Sequence, residues 1–174
     1  ELVKADLSLV SDPSRLGWET PSSTFGLRGL CYMQVEVTVP DKDLHSGLFG
    51  GAVANPANVL ADMISKLIDE EGHITIPGFY DDVRVLSDAE REAFNKAPFD
   101  LEHYKSLINI PNVPGENGYT TMERIGVRPT LYVNGMWSAY LPDGTKIIRP
   151  SKPYAKISLR LVPNQAFKKI AVLF

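Results

Sequence analysis

Leu30-Cys31-Tyr32-Met33-Gln34-Val35-Glu36-Val37-Thr38-Val39, closed by Pro40, is the stretch that decides the fold. Cys31, Met33, Val35, Val37 and Val39 fall on one face of an extended chain, and Tyr32, Gln34, Glu36 and Thr38 fall on the other. Strict alternation predicts a half-buried strand with one apolar face to cover and one polar face to leave open. Pro40 has no N–H to give to a ladder and ends it. A Gly-rich loop over 41–51 then carries Asp43-Leu44-His45-Ser46-Gly47 and leads to Asn55-Pro56, a good N-cap followed by proline at the first helical position. Leu60, Met63, Ile64, Leu67 and Ile68 recur at helical spacing, and Gly72 reads as the stop. The unit is strand, loop with a displayed histidine, amphipathic helix.

Upstream, the apolar run from Leu7 to Val10 closes at Ser11-Asp12-Pro13 and reads as the end of a buried strand. The Ser-, Pro- and Gly-rich segment from Pro13 to Phe25 reads as a connector at a domain boundary. Downstream, periodicity breaks down from His73 to Gly126, and four prolines cut this insertion into pieces. Two short helices are expected inside it, one opened by the capping box Ser87-Asp88-Ala89-Glu90 and one by Asp100. Alternation returns from Thr130 to Asn134, where Asn134-Gly135 gives a turn signal that ends a second strand. Ala155, Ile157, Leu159 and Leu161 alternate with Tyr154, Lys156, Ser158 and Arg160 before Pro163. Asn164 can cap a last helix with Phe167, Ile170, Ala171 and Phe174 on one face. The order strand, helix, strand, strand, helix predicts an α+β, ferredoxin-like sandwich: an antiparallel sheet with two helices on one face, plus the irregular helical insertion. The uncovered face would gather polar residues, Asn134 and Arg160 among them. The last helix is still running where the sequence stops, and the first residues read as the middle of an element, so the chain is expected to be cut from something longer.

Composition narrows the function classes. Eighteen Lys and Arg against 21 Asp and Glu give a net charge of −3, with no basic stripe to lie along phosphates, so nucleic acid is not an expected partner. No apolar run is long enough to span a membrane, and none is expected as a partner. The single cysteine, Cys31, sits in the apolar alternation and reads as a reduced, buried thiol, which favours a reducing, cytoplasmic location. His-Glu-x-x-His, Gly-x-Ser-x-Gly and phosphate-loop patterns are all missing, and His45, His73 and His103 are too scattered for a metal cage. A complete active site is not expected within these residues.

Three residues could carry chemistry, and each has a plain alternative. His45 is displayed on a loop, where function often resides, but a lone loop histidine is also an ordinary solvated or capping side chain. Asp12 at a strand end could ligate a metal, or it could be a turn residue before proline. Arg160 on the uncovered face could fork onto a carboxylate, or simply be solvated.

Taken together, Val10-Ser11-Asp12, Phe25-Gly26-Leu27-Arg28-Gly29, Asp43-Leu44-His45-Ser46-Gly47 and Ile157-Ser158-Leu159-Arg160-Leu161-Val162-Pro163 resemble the carnosinase branch of the dinuclear zinc peptidases. That family also contains aminoacylases, glutamate carboxypeptidases and succinyl-diaminopimelate desuccinylase. The long insertion is similar to that of the cytosolic non-specific dipeptidases more than to the shorter aminoacylases. The resemblance implies that residues 1–25 end a catalytic zinc-binding domain and its linker, while 26–174 form a lid and dimerisation domain with its insertion at about 73–126. It further implies a homodimer acting on dipeptides or short peptides with two zinc ions, which manganese or cobalt could replace. Asp12 matches a zinc ligand, and His45 matches a histidine that reaches into the opposite subunit's active site to stabilise the scissile carbonyl oxygen. Arg160 matches a residue that binds the substrate's terminal carboxylate, with Asn134 on the same face as a further substrate contact. By this reading the fragment alone binds no metal and is inactive. Ile147 departs from the pattern, which usually has threonine there, so one polar substrate contact is lost. An N-acyl amino acid amidohydrolase or desuccinylase lid, and a non-catalytic dimerisation module, are the alternatives.

Overall fold

The computed structural model describes residues 6, 24, 26–38, 44–138, 148–149 and 152–174. Three strands form the main antiparallel sheet: β1 (Gly29–Glu36), β3 (Thr130–Trp137) and, between them, β5 (Tyr154–Leu161). A separate two-stranded ribbon pairs β2 (Leu44–His45) with β4 (Ile148–Arg149). The helices are α1 (Ser46–Phe49), α2 (Pro56–Ser65), α3 (Asp88–Asn95), α4 (Leu101–Leu107), α5 (Thr121–Gly126) and α6 (Phe167–Leu173).

The alternation in β1 and β5 sets the core. Cys31 lies opposite Leu159 and Met33 opposite Ile157, while Leu131 and Val133 of β3 flank the same two β5 residues. Ala155, Ile157 and Leu159 have no exposed surface. Against this face pack Ile64 and Leu67, then Ile74, Ile76 and Phe79 from the segment after α2, and Ile170 of α6 with Leu173 and Phe174. Val37, Leu60 and Ala155 form a smaller cluster beside it. Burial raises the Cys31 thiol pKa, which keeps it protonated. The α+β sandwich with its helices on one sheet face is therefore the observed architecture. On the other face Tyr32 and Tyr132 remain 70% and 59% exposed.

Capping chemistry explains most helix starts. Asn55 accepts from the Ala57 N–H at 2.9 Å with Pro56 inside the first turn, Ser87 and Glu90 form the expected box, and Asp100 accepts from the His103 N–H. α5 has the same device, in which Thr120 and Glu123 cap each other, a pattern the sequence also carries.

Several expectations need correction. Helix α2 stops at Ser65, before Leu67 and Ile68, because Ile68 bridges Ile74 across a tight turn in which Asp69 accepts the N–H groups of Glu71 and His73. Asn134-Gly135 is not a turn. The register shifts between Val133 and Gly135, Asn134 is the extra residue, and β3 runs on to Trp137. A Cβ at Gly135 would run into the Trp137 ring, so glycine gives the indole its place. Asn164 does not cap α6. It takes a left-handed φ of 76°, while Gln165 accepts the Val162 N–H at 3.0 Å and donates to the Phe79 carbonyl at 2.8 Å. Phe167 consequently points away from the core and is 58% exposed. The strand expected at Leu7 to Val10 lies outside the described residues.

The insertion is held by two carboxylate–arginine pairs. Glu116 accepts both arms of the Arg128 guanidinium, with each residue about as buried as the core, and Arg128 also lies over the Tyr119 and Tyr80 rings. Glu123, with no exposed surface, accepts from Arg91 Nε at 2.6 Å and Nη2 at 3.0 Å and from the Thr120 N–H at 2.7 Å, which ties α5 to α3. Arg91 is the main cause that brings the Glu123 carboxyl down from 4.5 to about 2. A depressed folded-state pKa stabilises the fold above the unfolded value, and that contribution is lost as pH falls through the folded one. Arg91→Gln should thus lower stability at pH 6, with the gap to wild type closing as pH falls from about 4.5 through about 2. Urea unfolding of both proteins across that range checks it, and a gap independent of pH would exclude the linkage.

Candidate active-site face

His45 sits at the end of β2, opposite Ile148 of β4, with α1 following at once. It is therefore held by a short ribbon and one helical turn, firmer support than the loop expected. The Gly47 N–H donates to His45 Nδ1 at 3.1 Å. A ring that accepts at Nδ1 carries its proton on Nε2, which leaves that nitrogen of the exposed imidazole as the donor. Gly47 has to be glycine for this contact, since a Cβ there would lie 2.9 Å from His45 Cε1.

Arg160 occupies the open face of β5, with Leu30 and Thr130 as its neighbours on β1 and β3, and it is exposed. It makes no hydrogen bond or ion pair among the described residues. Arg28, just before β1, stands at the same end of the sheet. Its Nη1 donates to the carbonyls of Arg124 and Arg128 and to Thr130 Oγ1 at 3.1 to 3.3 Å. Burial, reinforced by the Arg160 charge and opposed by Tyr132, lowers the Arg28 pKa from the ordinary arginine range. The middle of the face is Ser158, 7% exposed between Tyr32 and Tyr132. At the far end Trp137 stacks on Tyr154 with ring centroids 5.2 Å apart.

These positions are not one cluster. Asn134 is exposed at the bulge, four residues along β3 from the partner of Arg160, a run of about 13 Å in an extended strand. His45 belongs to the ribbon, and no hydrogen bond joins it to the main sheet among the described residues. Asp12 and Ile147 lie outside the described residues. Among the described residues no group of three or more His, Cys, Asp or Glu side chains is placed to hold a metal ion. Next to the Arg28 corner a cleft of about 610 Å³ opens between the insertion and β3, lined by Arg28, Thr130 and Tyr132 on one side and Glu116, Arg124 and Arg128 on the other. Arg28 belongs to Phe25-Gly26-Leu27-Arg28-Gly29, but nothing in sequence pattern tells that an arginine before a strand will be half-buried.

Residues 25–173 match the family described as the peptidase dimerisation domain. The chain belongs to that family. It is 33% identical over 161 residues to the Beta-Ala-His dipeptidase of Mus musculus, covering 92% of this chain and 33% of the relative. It is 35% identical over 161 residues to the Cys-Gly metallodipeptidase dug1 of Schizosaccharomyces pombe, covering 92% and 34%. Among solved structures, the dipeptidase Dug1p of Saccharomyces cerevisiae superposes with a TM-score of 0.78 at 32% identity, over 94% of this chain and 34% of that one. The dimerisation-domain chain thus spans about a third of the length of the relatives it matches.

The Gly47 contact yields a test within the chain itself. Gly47→Ala should swing the imidazole off the Gly47 N–H without moving the core, read as a change in the His45 ring resonances at an unchanged thermal midpoint. Unaltered ring resonances would show that the contact does not orient the ring.

Proposed function

We propose that the full-length protein is a metal-dependent homodimeric peptidase that cleaves dipeptides or short peptides, and that this dimerisation domain supplies His45 and Arg160 to it. The supporting observation is the Gly47 N–H bond to Nδ1 of the exposed His45 ring, which leaves Nε2 as the donor. Family membership and the printed names of the relatives, a dipeptidase and a metallodipeptidase, support the reaction class. A fixed donor aimed at a developing oxyanion is typically worth ~10²–10³ in rate. Arg160 suits the terminal carboxylate because a guanidinium forks onto both oxygens and Arg160 has no other carboxylate to hold among the described residues. Asn134 is proposed as a second substrate contact farther along the face. Two zinc ions, with Asp12 as one ligand, belong to this proposal. The described residues do not make up a metal cage, so what this chain does is argued from its donors and charges alone. The domain bounds, 1–25 and 26–174, and a cytoplasmic location belong to the same reading; no helix among the described residues is long and apolar enough to cross a membrane.

In the full-length protein His45→Ala should keep its metal and its dimer while kcat falls about 10²-fold or more. Mixing those chains with chains that lack a metal ligand should restore part of the activity if the histidine acts on the partner's substrate. Wild-type turnover in His45→Ala would end the assignment, and a silent mixture would place the histidine within its own subunit. Arg160→Met should raise KM for peptides with a free terminal carboxylate and leave their amides nearly unchanged. Equal effects on both would remove the carboxylate role. Turnover of N-acyl amino acids in preference to dipeptides would favour the amidohydrolase alternative.

A further inference from the structure

One corner of the open face is electrically unbalanced. Arg84, Arg91 and Arg128 each have a carboxylate partner, in Glu90, Glu123 and Glu116. Arg28, Arg124 and Arg160 have none among the described residues: Arg124 donates to the backbone carbonyls of Glu116 and Val113, while Arg28 and Arg160 meet at Thr130. The backbone explains why they meet. Thr130 is the β3 partner of Arg160, and Thr130 Oγ1 is also an acceptor for Arg28, whose side chain thereby reaches from the β1 side across the end of β5.

Arg28 is fixed in an unusual way for a surface arginine. All three of its hydrogen bonds leave from Nη1, and two of them end on backbone carbonyls of the insertion, Arg124 and Arg128. The Nε–H and Nη2–H edge, the one that forks onto a carboxylate, makes no hydrogen bond among the described residues. Half-burial strips water from this charge, and an anion seated on its free edge would offset that loss. Arg28 and Thr130 line the 610 Å³ cleft, which leaves the corner reachable from solvent.

We propose that Arg28 is a second carboxylate-binding residue of the site proposed above: the terminal carboxylate of a peptide substrate seats between Arg28 and Arg160, on the free fork of Arg28. The inference rests on the Arg160 reading and deepens it. Arg160 is exposed and makes no hydrogen bond among the described residues, whereas Arg28 is already held, so the pair joins a free prong to a preset one. The ligand class is a peptide with a free terminal carboxylate.

The test uses the full-length enzyme with matched free-acid and amidated dipeptides. Arg28→Gln should raise KM for the free acid about tenfold, with the amide within about twofold and kcat little changed. Arg28→Lys, which keeps the charge and loses the fork, should give an intermediate and still selective effect. In the double variant with Arg160→Met the losses should fall short of the product of the single ones, since both side chains hold one group. Losses in Arg28→Gln and Arg28→Lys that are equal for acid and amide would overturn the proposal, and leave Arg28 as a tie between insertion and sheet. Should Arg28→Gln fail to fold, the acid-to-amide ratio of Arg28→Lys decides alone. An Arg160→Met enzyme indifferent to the terminal carboxylate sinks the underlying reading instead, whereas a selective Arg160→Met beside unselective Arg28 variants sinks only this one.

Discussion

The structure depends on the one-sided burial of its central strand. β5 is paired along both edges, so its backbone groups are satisfied by β1 and β3, and its inward side chains, Ala155, Ile157, Leu159 and Leu161, lose almost all contact with water. The buried apolar side chains of the neighbouring elements cover them: Leu60 and Ile64 from α2, Ile74, Ile76 and Phe79 from the following turn, and Ile170 from α6. The opposite parity of the same strand, Tyr154, Lys156, Ser158 and Arg160, is left to find partners elsewhere. Arg160 lies on that uncovered parity because a strand cannot bury one set of side chains without displaying the other.

The insertion, by contrast, is ordered by charge as much as by apolar contact. Its first residues enter the core, but its later helices are fixed by Arg91 on Glu123 and Arg128 on Glu116. Buried pairs of this kind add little net stability against an apolar replacement, yet breaking one leaves a stranded charge, so they specify one arrangement over its competitors. The two carbonyls that hold Arg28 belong to residues within or just after α5, at Arg124 and Arg128. The charge network therefore reaches the open face through a single arginine.

The sheet was legible in the sequence wherever parity was unbroken. Cys31 through Val37 and Ala155 through Leu161 read correctly because a period of two admits one interpretation when one face is fully apolar. Ser87, Asp100 and Asn55 also read correctly, since each acts on backbone groups within a few residues. What failed had longer reach. Asn134-Gly135 looks like a turn until Trp137 needs the space above the glycine, and Asn164 looks like a cap until Gln165 finds the Phe79 carbonyl, which is 86 residues away. His45 and Arg160 stand out by position, on a loop and on the uncovered parity, but their roles come only from a resemblance, and Arg28 needs coordinates, because its neighbours in space are about a hundred residues distant in the chain.

The bulge at Asn134 acts on β3 as a pawl acts on a ratchet. Seven residues of that strand are matched to β5 in two blocks that are out of step by one, Thr130 to Val133 and Gly135 to Trp137, so sliding either block would spoil the fit of the other. Thr130, four positions before the bulge, is thereby held opposite Arg160 and within reach of Arg28. A deletion of one residue between Thr130 and Val133 would carry the threonine off the arginine and invert the strand's faces, whereas one lost after Trp137 would leave that corner as it is. Tolerance to changes in length is thus set unequally along a single strand, and the short stretch before the bulge is where the protein can least afford them.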